Sequence, residues 1–198
     1  MSENPEPSPA APGLRVVVGL GNPGARYRET RHNLGFRVVE LLARRRSVEL
    51  SRLECNALVA GAGGVLLVLP QTYMNRSGYA VRCLAERHGF APEDVLLVYD
   101  DVALPLGRLR LRPGGSPGGH RGVESVVENL RTDAVPRLRL GCAGEDGPPG
   151  GEELVDYVLS PFRPDEEKAA AEMVERAADA CQAWLDHGIE VAMNRYNG

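Results

Sequence analysis

The chain has 198 residues, 43% hydrophobic and 25% charged, which places it in the ordinary globular class, with length for about one domain and a sizeable core. Its four cysteines (Cys55, Cys83, Cys142, Cys181) show no C-x-x-C pair and no metal-ligand spacing, and read as buried small hydrophobes in a reducing, cytoplasmic setting rather than as disulfides or a zinc site; no apolar run reaches the ~18 residues of a membrane helix. The net charge of −4 is unevenly spread: residues 1–144 hold 19 Arg against 14 Asp and Glu, and residues 145–198 hold 4 basic against 13 acidic side chains, so a basic body carries an acidic C-terminal segment and can meet a polyanion with one face only.

Residues 1–13, MSENPEPSPAAPG, lack the basic and apolar regions of a signal peptide and have the composition of a disordered tail; residues 14–198 are expected to form one domain. Leu14–Leu20 predicts a buried strand closed by the turn Gly21-Asn22-Pro23-Gly24. Thr30 is placed to cap a helix carrying Leu34, Val38, Leu41 and Leu42 and ending in Arg44-Arg45-Arg46. Cys55–Ala60 and Val65–Pro70 flank a glycine-rich turn as a hairpin would. Ser77 is placed to cap a second helix, stopped by Gly89. Val95–Val98 predicts a strand running into Tyr99-Asp100-Asp101, and Leu109–Arg112 alternates like a half-exposed strand. The loop Gly114–Gly119 leads into a helical stretch, Val123–Leu130. Arg137–Cys142 reads as a strand, Leu154–Leu159 as a short edge strand, and Asp165–His187 as a long helix with Pro164 at its first turn. The expected fold class is α/β, a single-domain three-layer α/β/α arrangement around a mixed central sheet.

The segment "GLGNPGARYRETRHNLG", Gly19–Gly35, opens with G-x-G-x-x-G. A dinucleotide loop would open a helix at once and place an acidic residue at a strand end about 20 positions on. Ala25–Asn33 has no apolar stripe for such a helix, and Glu40, at the right distance, falls inside the next helix pattern. The nucleotide reading fails on context. His32, in the polar second half, is the stronger feature, because an imidazole can take a proton from water near neutral pH if a carboxylate fixes its tautomer. Asp100 and Asp101 both lie at a strand end and supply that carboxylate. No G-x-S-x-G elbow is present, so a water nucleophile fits better than an acyl-enzyme. Asn75 sits in "PQTYMNRSG", Pro70–Gly78, where Tyr73 and Met74 can wall a substrate chain. Arg108, Arg110 and Arg112 alternate along one strand and Arg137 and Arg139 along another, each set projecting to one face.

Together GLGNPGxxYxxTRHNxG, QTYMNxSG and YDDxxLPLGxxRxRxGGSxGGH resemble the bacterial peptidyl-tRNA hydrolase family, from Leu14 nearly to the C-terminus. The resemblance implies cleavage of the ester between a peptide and the terminal ribose of tRNA, which recycles tRNA dropped by ribosomes. It implies a monomer that needs no cofactor and no metal, with peptidyl-tRNA (acceptor stem, 3′ end and nascent peptide) as partner. Carried over by position, His32 is the general base and Asp100 its orienting carboxylate. Asn22 and Asn75 hydrogen-bond the peptide and align water and carbonyl, Tyr27 and Tyr73 shape the cleft, and Arg112 and Arg139 grip the 5′ phosphate. The family usually reads GGHN in its gate loop, where this chain has Gly118-Gly119-His120-Arg121, and Pro117 stands where the family has a small, flexible residue. Arg121 is expected to turn outward, toward the tRNA backbone. The alternative is a non-catalytic RNA-binding relative of the same fold, which the intact Asn22, His32, Asn75 and Asp100 argue against.

Overall fold

The structure is a computed structural model and describes residues 13–197; the tail expected over 1–13 falls almost wholly outside them. Seven strands form one sheet: β1 (Arg15–Gly19), β2 (Arg52–Glu54), β3 (Ala57–Ala62), β4 (Val65–Pro70), β5 (Val95–Pro105), β6 (Leu109–Arg112) and β7 (Arg137–Ala143), in the order β2-β3-β4-β1-β5-β7-β6. The central β4, β1, β5 and β7 are parallel, while β2, β3 and β6 run antiparallel to their neighbours. The parallel centre is buried on both faces, which explains its unbroken apolar runs. Alternate residues serve opposite layers. Val17, Leu96 and Val98 join the core under α1 (Leu34–Arg45) and the C-terminal helices, whereas Val16, Val18, Leu97 and Tyr99 join the core under α2 (Ser77–His88) and α3 (Arg121–Leu130). The three-layer α/β/α reading and the mixed sheet hold.

The glycines of the opening motif serve packing. A Cβ on Gly19 would lie 2.3 Å from the Gly35 carbonyl oxygen, and one on Gly35 would lie 2.2 Å from that of Val98. Only a bare backbone lets α1 start this close to the sheet. That contact seats the turn carrying His32 against the end of β1 and the middle of β5.

Several local expectations are corrected. Thr30 makes no cap; its hydroxyl donates back to the Tyr27 carbonyl at 2.8 Å, and a 3-10 turn, Arg31–Asn33, precedes α1. The Ser77 hydroxyl likewise donates to the Met74 carbonyl rather than capping α2. Leu154–Leu159 is no edge strand. All of it but Leu159 falls in the helix α4 (Glu153–Val158), whose Leu154, Val155 and Val158 follow a helical spacing. The long helix α5 begins at Glu167 and runs to His187, and a further helix α6 (Ile189–Tyr196) follows Gly188. Cys55, in the turn between β2 and β3, is disulfide-bonded to Cys83 on α2, against the expectation of free thiols; a separation of 28 residues gave no spacing signal. Cys142 and Cys181 are buried and reduced, and burial pushes both thiols up from their ordinary pKa.

Among the described residues, ion pairs tie the acidic C-terminal segment to the body at two places. On the surface, Arg45 of α1 pairs with Glu175 and Asp179 of α5. In the interior, the Arg31 guanidinium lies between the rings of Tyr157 and Phe162, at 4.5 and 4.6 Å from their centroids, and reaches Glu166 at 2.5 Å. Arg31 and Glu166 are 3% and 5% exposed, so neither charge has water in place of its partner. Glu166→Ala is therefore expected to destabilise the chain by about 3–5 kcal/mol, the scale for stranding one charge of a buried pair. Chemical denaturation checks this; a loss below about 1 kcal/mol would show that Arg31 finds water or another partner.

Candidate active site

A cleft of about 830 Å³ opens between the turn after β1, the segment after β4, the middle of β5 and the first residues of β7; turns after parallel strands are the usual place for a ligand on an α/β sheet. His32 enters from the turn before α1, Asn22 from the turn after β1, and Tyr73, Met74 and Asn75 from the segment between β4 and α2. Asp100 rises from β5, and His120 caps α3. Leu154, Val155 and Val158 of α4 give the cleft an apolar wall.

His32 Nδ1 lies 2.9 and 3.0 Å from the two carboxylate oxygens of Asp100. A carboxylate only accepts, so Nδ1 carries the proton and Nε2 presents its lone pair. Burial works against a charged imidazole here, but the charge and hydrogen bond of Asp100 outweigh it and raise the His32 pKa above the ordinary value. Burial also opposes ionising Asp100, which is 2% exposed, yet His32 and His120 together hold its carboxyl well below the usual carboxylate range. Asp100 stays charged wherever the imidazole titrates. Asp100 and Asp101 do not end the strand as expected, because β5 runs on to Pro105, and of the two Asp100 meets His32.

His120, at the end of the glycine-rich loop, is a second partner of Asp100 that no motif spacing in the sequence points to. Its Nδ1 accepts the Val123 N–H at 3.3 Å as the N-cap of α3, which leaves Nε2–H to donate to Asp100 at 3.1 Å. Its ring lies 5.0 Å from His32 and 4.8 Å from Tyr99. His32, Asp100 and His120 offer ligand atoms within 4.8 Å of one another, the one such cluster among the described residues. The capping bond argues against a cation there, because it places the Nε2 proton where a metal would need a lone pair.

Asn22 is held just as firmly. Its backbone N–H donates to Asn33 Oδ1 at 2.9 Å, the Asn33 amide returns a bond to the Asn22 carbonyl at 2.9 Å, and Asn22 Oδ1 accepts the Met74 N–H at 2.8 Å. With its oxygen engaged, the Asn22 side chain has its NH₂ left to donate in the cleft. Asn33 and Met74 aim it; Asn33 is only a motif letter in the sequence, and Met74 is expected there as a wall for a substrate chain rather than as a backbone donor.

The remaining expected residues fall in different places. Tyr73 is 58% exposed and lines the cleft, as does Asn75. Tyr27 is not among the lining residues; it sits on the 3-10 turn Ala25–Tyr27 with the Arg26 guanidinium 4.5 Å from its ring. Arg112 is exposed on the rim. Arg139 lines the same side, with its Nε bonded to Asp101. Arg121 is exposed at the cleft mouth with no ion pair among the described residues. Arg137 is buried beneath them. Its three guanidinium nitrogens donate to the carbonyls of Val135, Ser116 and Asp133 at 3.0–3.2 Å, tying the gate loop to β7.

An imidazole held by a buried carboxylate beside the fixed Asn22 amide is an arrangement chemically able to take a proton from water, on an α/β fold. Comparison with known proteins makes the assignment specific. Residues 16–198 match the family model described as "Peptidyl-tRNA hydrolase". The chain is similar to the peptidyl-tRNA hydrolase of Moorella thermoacetica, 49% identical over 92% of this chain and 97% of that one, and to that of Methylacidiphilum infernorum, 46% identical over 92% and 97%. The crystal structure of peptidyl-tRNA hydrolase from Acinetobacter baumannii superposes with a TM-score of 0.86 at 33% identity, covering 93% of this chain and 95% of that chain. The chain belongs to the peptidyl-tRNA hydrolase family.

Proposed function

We propose that the chain hydrolyses the ester joining a peptide to the 3′-terminal ribose of tRNA, returning both from peptidyl-tRNA that has left the ribosome. The observation that carries the mechanism is the His32–Asp100 pair at 2.9 Å in a cleft that also holds Asn22. His32 Nε2 takes a proton from a water as that water attacks the ester carbonyl, and Asp100 stabilises the imidazolium that forms. The NH₂ groups of Asn22 and Asn75 donate toward the carbonyl oxygen, where negative charge develops. Collapse of the tetrahedral intermediate breaks the bond to the ribose oxygen, and His32 returns the proton to it. Tyr73 and the apolar wall of α4 receive the peptide. His120 keeps Asp100 in place and is a positioning residue.

In the same reading Arg112 and Arg139 bind the 5′ phosphate of the acceptor stem, and Arg121, hydrated at the cleft mouth, faces the RNA backbone. The chain acts as a monomer in the cytoplasm, where dropped-off peptidyl-tRNA arises. No helix among the described residues is long and apolar enough to cross a membrane. The activity is tested by release of free peptide from purified peptidyl-tRNA; a folded chain that binds this RNA and releases nothing would instead be an RNA-binding relative.

Arg112→Ala or Arg139→Ala is expected to raise KM for peptidyl-tRNA with kcat nearly unchanged, the pattern of lost ground-state binding. The salt dependence of binding should also become shallower, because each lost phosphate contact releases fewer counterions. A substrate lacking the 5′ phosphate should be cleaved alike by mutant and wild type. Equal losses on both substrates would make the pair structural.

A further inference from the structure

β6 and β7 place four arginines on one face of the sheet, Arg110 opposite Arg139 and Arg112 opposite Arg137. Their neighbours Leu109, Leu111, Leu138 and Leu140 fill the core on the other face. Like charges directly opposite on paired strands repel, so this block has to be justified by something it binds or stabilised by something it touches. Among the described residues one carboxylate, Asp101, lies within 4.0 Å of any of the four guanidiniums, and it pairs with Arg139 alone. Asp101 is itself fixed, since its Oδ1 accepts the Ala103 N–H at 2.8 Å while its Oδ2 takes Arg139.

The way the two meet is informative. Asp101 engages Arg139 through Nε, and the two terminal Nη groups of this cleft-lining residue have no hydrogen-bond partner among the described residues. A guanidinium that met an internal carboxylate through both terminal nitrogens would have to release it before binding a phosphate. One held at Nε keeps its terminal fork free for two parallel bonds to phosphate oxygens. Holding it there also removes rotamer freedom that a long, part-exposed side chain would otherwise lose on binding.

We propose that Asp101 is a positioning residue for phosphate recognition: by anchoring Arg139 at Nε it sets the terminal guanidinium edge toward the 5′ phosphate of the tRNA. This rests on the reading of Arg139 as a phosphate-binding residue. The adjacent acids in the middle of β5 then divide the work by strand alternation. Asp100 faces His32 and serves the chemistry, while Asp101 faces β7 and serves the RNA end.

The test compares N-acetyl-aminoacyl-tRNA carrying a 5′ phosphate with the same RNA carrying a 5′ hydroxyl. Asp101→Ala is expected to raise KM for the phosphorylated substrate at least ~3-fold, to leave KM for the hydroxyl form within twofold, and to leave kcat unchanged on both. Added to Arg139→Ala, it should have no further effect, because its action passes through that side chain. Asp101→Asn, which keeps the volume, should move KM in the same direction if the alanine variant folds poorly. If Arg139→Ala discriminates between the substrates while Asp101→Ala and Asp101→Asn do not, or lower KM by relieving repulsion, Asp101 is no anchor. If Arg139→Ala itself treats the two substrates alike, the phosphate reading of Arg139 fails first and the role of Asp101 falls with it.

Discussion

His32→Ala is expected to lower kcat for peptide release by at least ~10²-fold while leaving affinity for the RNA nearly unchanged. The size is that of a lost general base. The geometry allows no ready substitute. Asp100 is buried, far too acidic to take a proton from water, and already accepts from two imidazoles. The second imidazole, His120, has its Nδ1 committed to the cap of α3 and its Nε2 proton to Asp100. Asn22 offers a donor, not a base. Some rate should survive, because the amide donors still orient and polarise the ester without His32. Single-turnover kinetics with saturating enzyme separate the chemical step from binding. Near-full turnover in a folded mutant would remove His32 from the mechanism.

Asp100→Asn is expected to have the next largest effect, a fall in kcat of roughly tenfold or more but less than that of His32→Ala. The amide is nearly the same size, so the fold has no cavity to close. It can present either an oxygen or an NH₂ to His32, and only the oxygen keeps the proton on Nδ1. It also carries no charge to stabilise the imidazolium of the transition state. Its oxygen can still accept the His120 N–H, so the cap of α3 and the seat of the gate loop should persist. A mutant with wild-type kcat would mean that the backbone alone orients His32.

The strands were legible in the sequence because their burial on both faces writes unbroken apolar runs such as Val65–Pro70. Short or peripheral elements were not. Three-residue β2 leaves no periodicity to count, and the six residues of α4 contain too few apolar positions to separate a helix from an edge strand. His32 and Asp100 were legible because a polar residue in a turn, or directly after an apolar strand run, has few structural uses there. Their environment was not, since it depends on contacts across the chain: His120 reaches Asp100 across 20 residues, and Arg31 reaches Glu166 across 135. The choice between Asp100 and Asp101 shows the limit clearly. Both were candidates in the sequence, and strand alternation turned one toward His32 and the other toward Arg139. Tyr27, assigned to the cleft by its motif position, lies outside its lining residues.

The most direct measurement of the central claim is the pH dependence of kcat/KM for peptide release in wild type and Asp100→Asn, alongside an NMR titration of the His32 ring. A general base works as the neutral imidazole, so the rate should rise with pH through the pKa of His32. In the wild type Asp100 holds that pKa above the ordinary 6.5, and the acid limb should lie correspondingly high. Asp100→Asn removes the charge that raises it and leaves the burial that lowers it. The limb should therefore move to lower pH even as the plateau falls, and the His32 titration should move with it. An acid limb that stays in place in Asp100→Asn, or one that does not coincide with the titration of His32, would contradict a base held and tuned by Asp100.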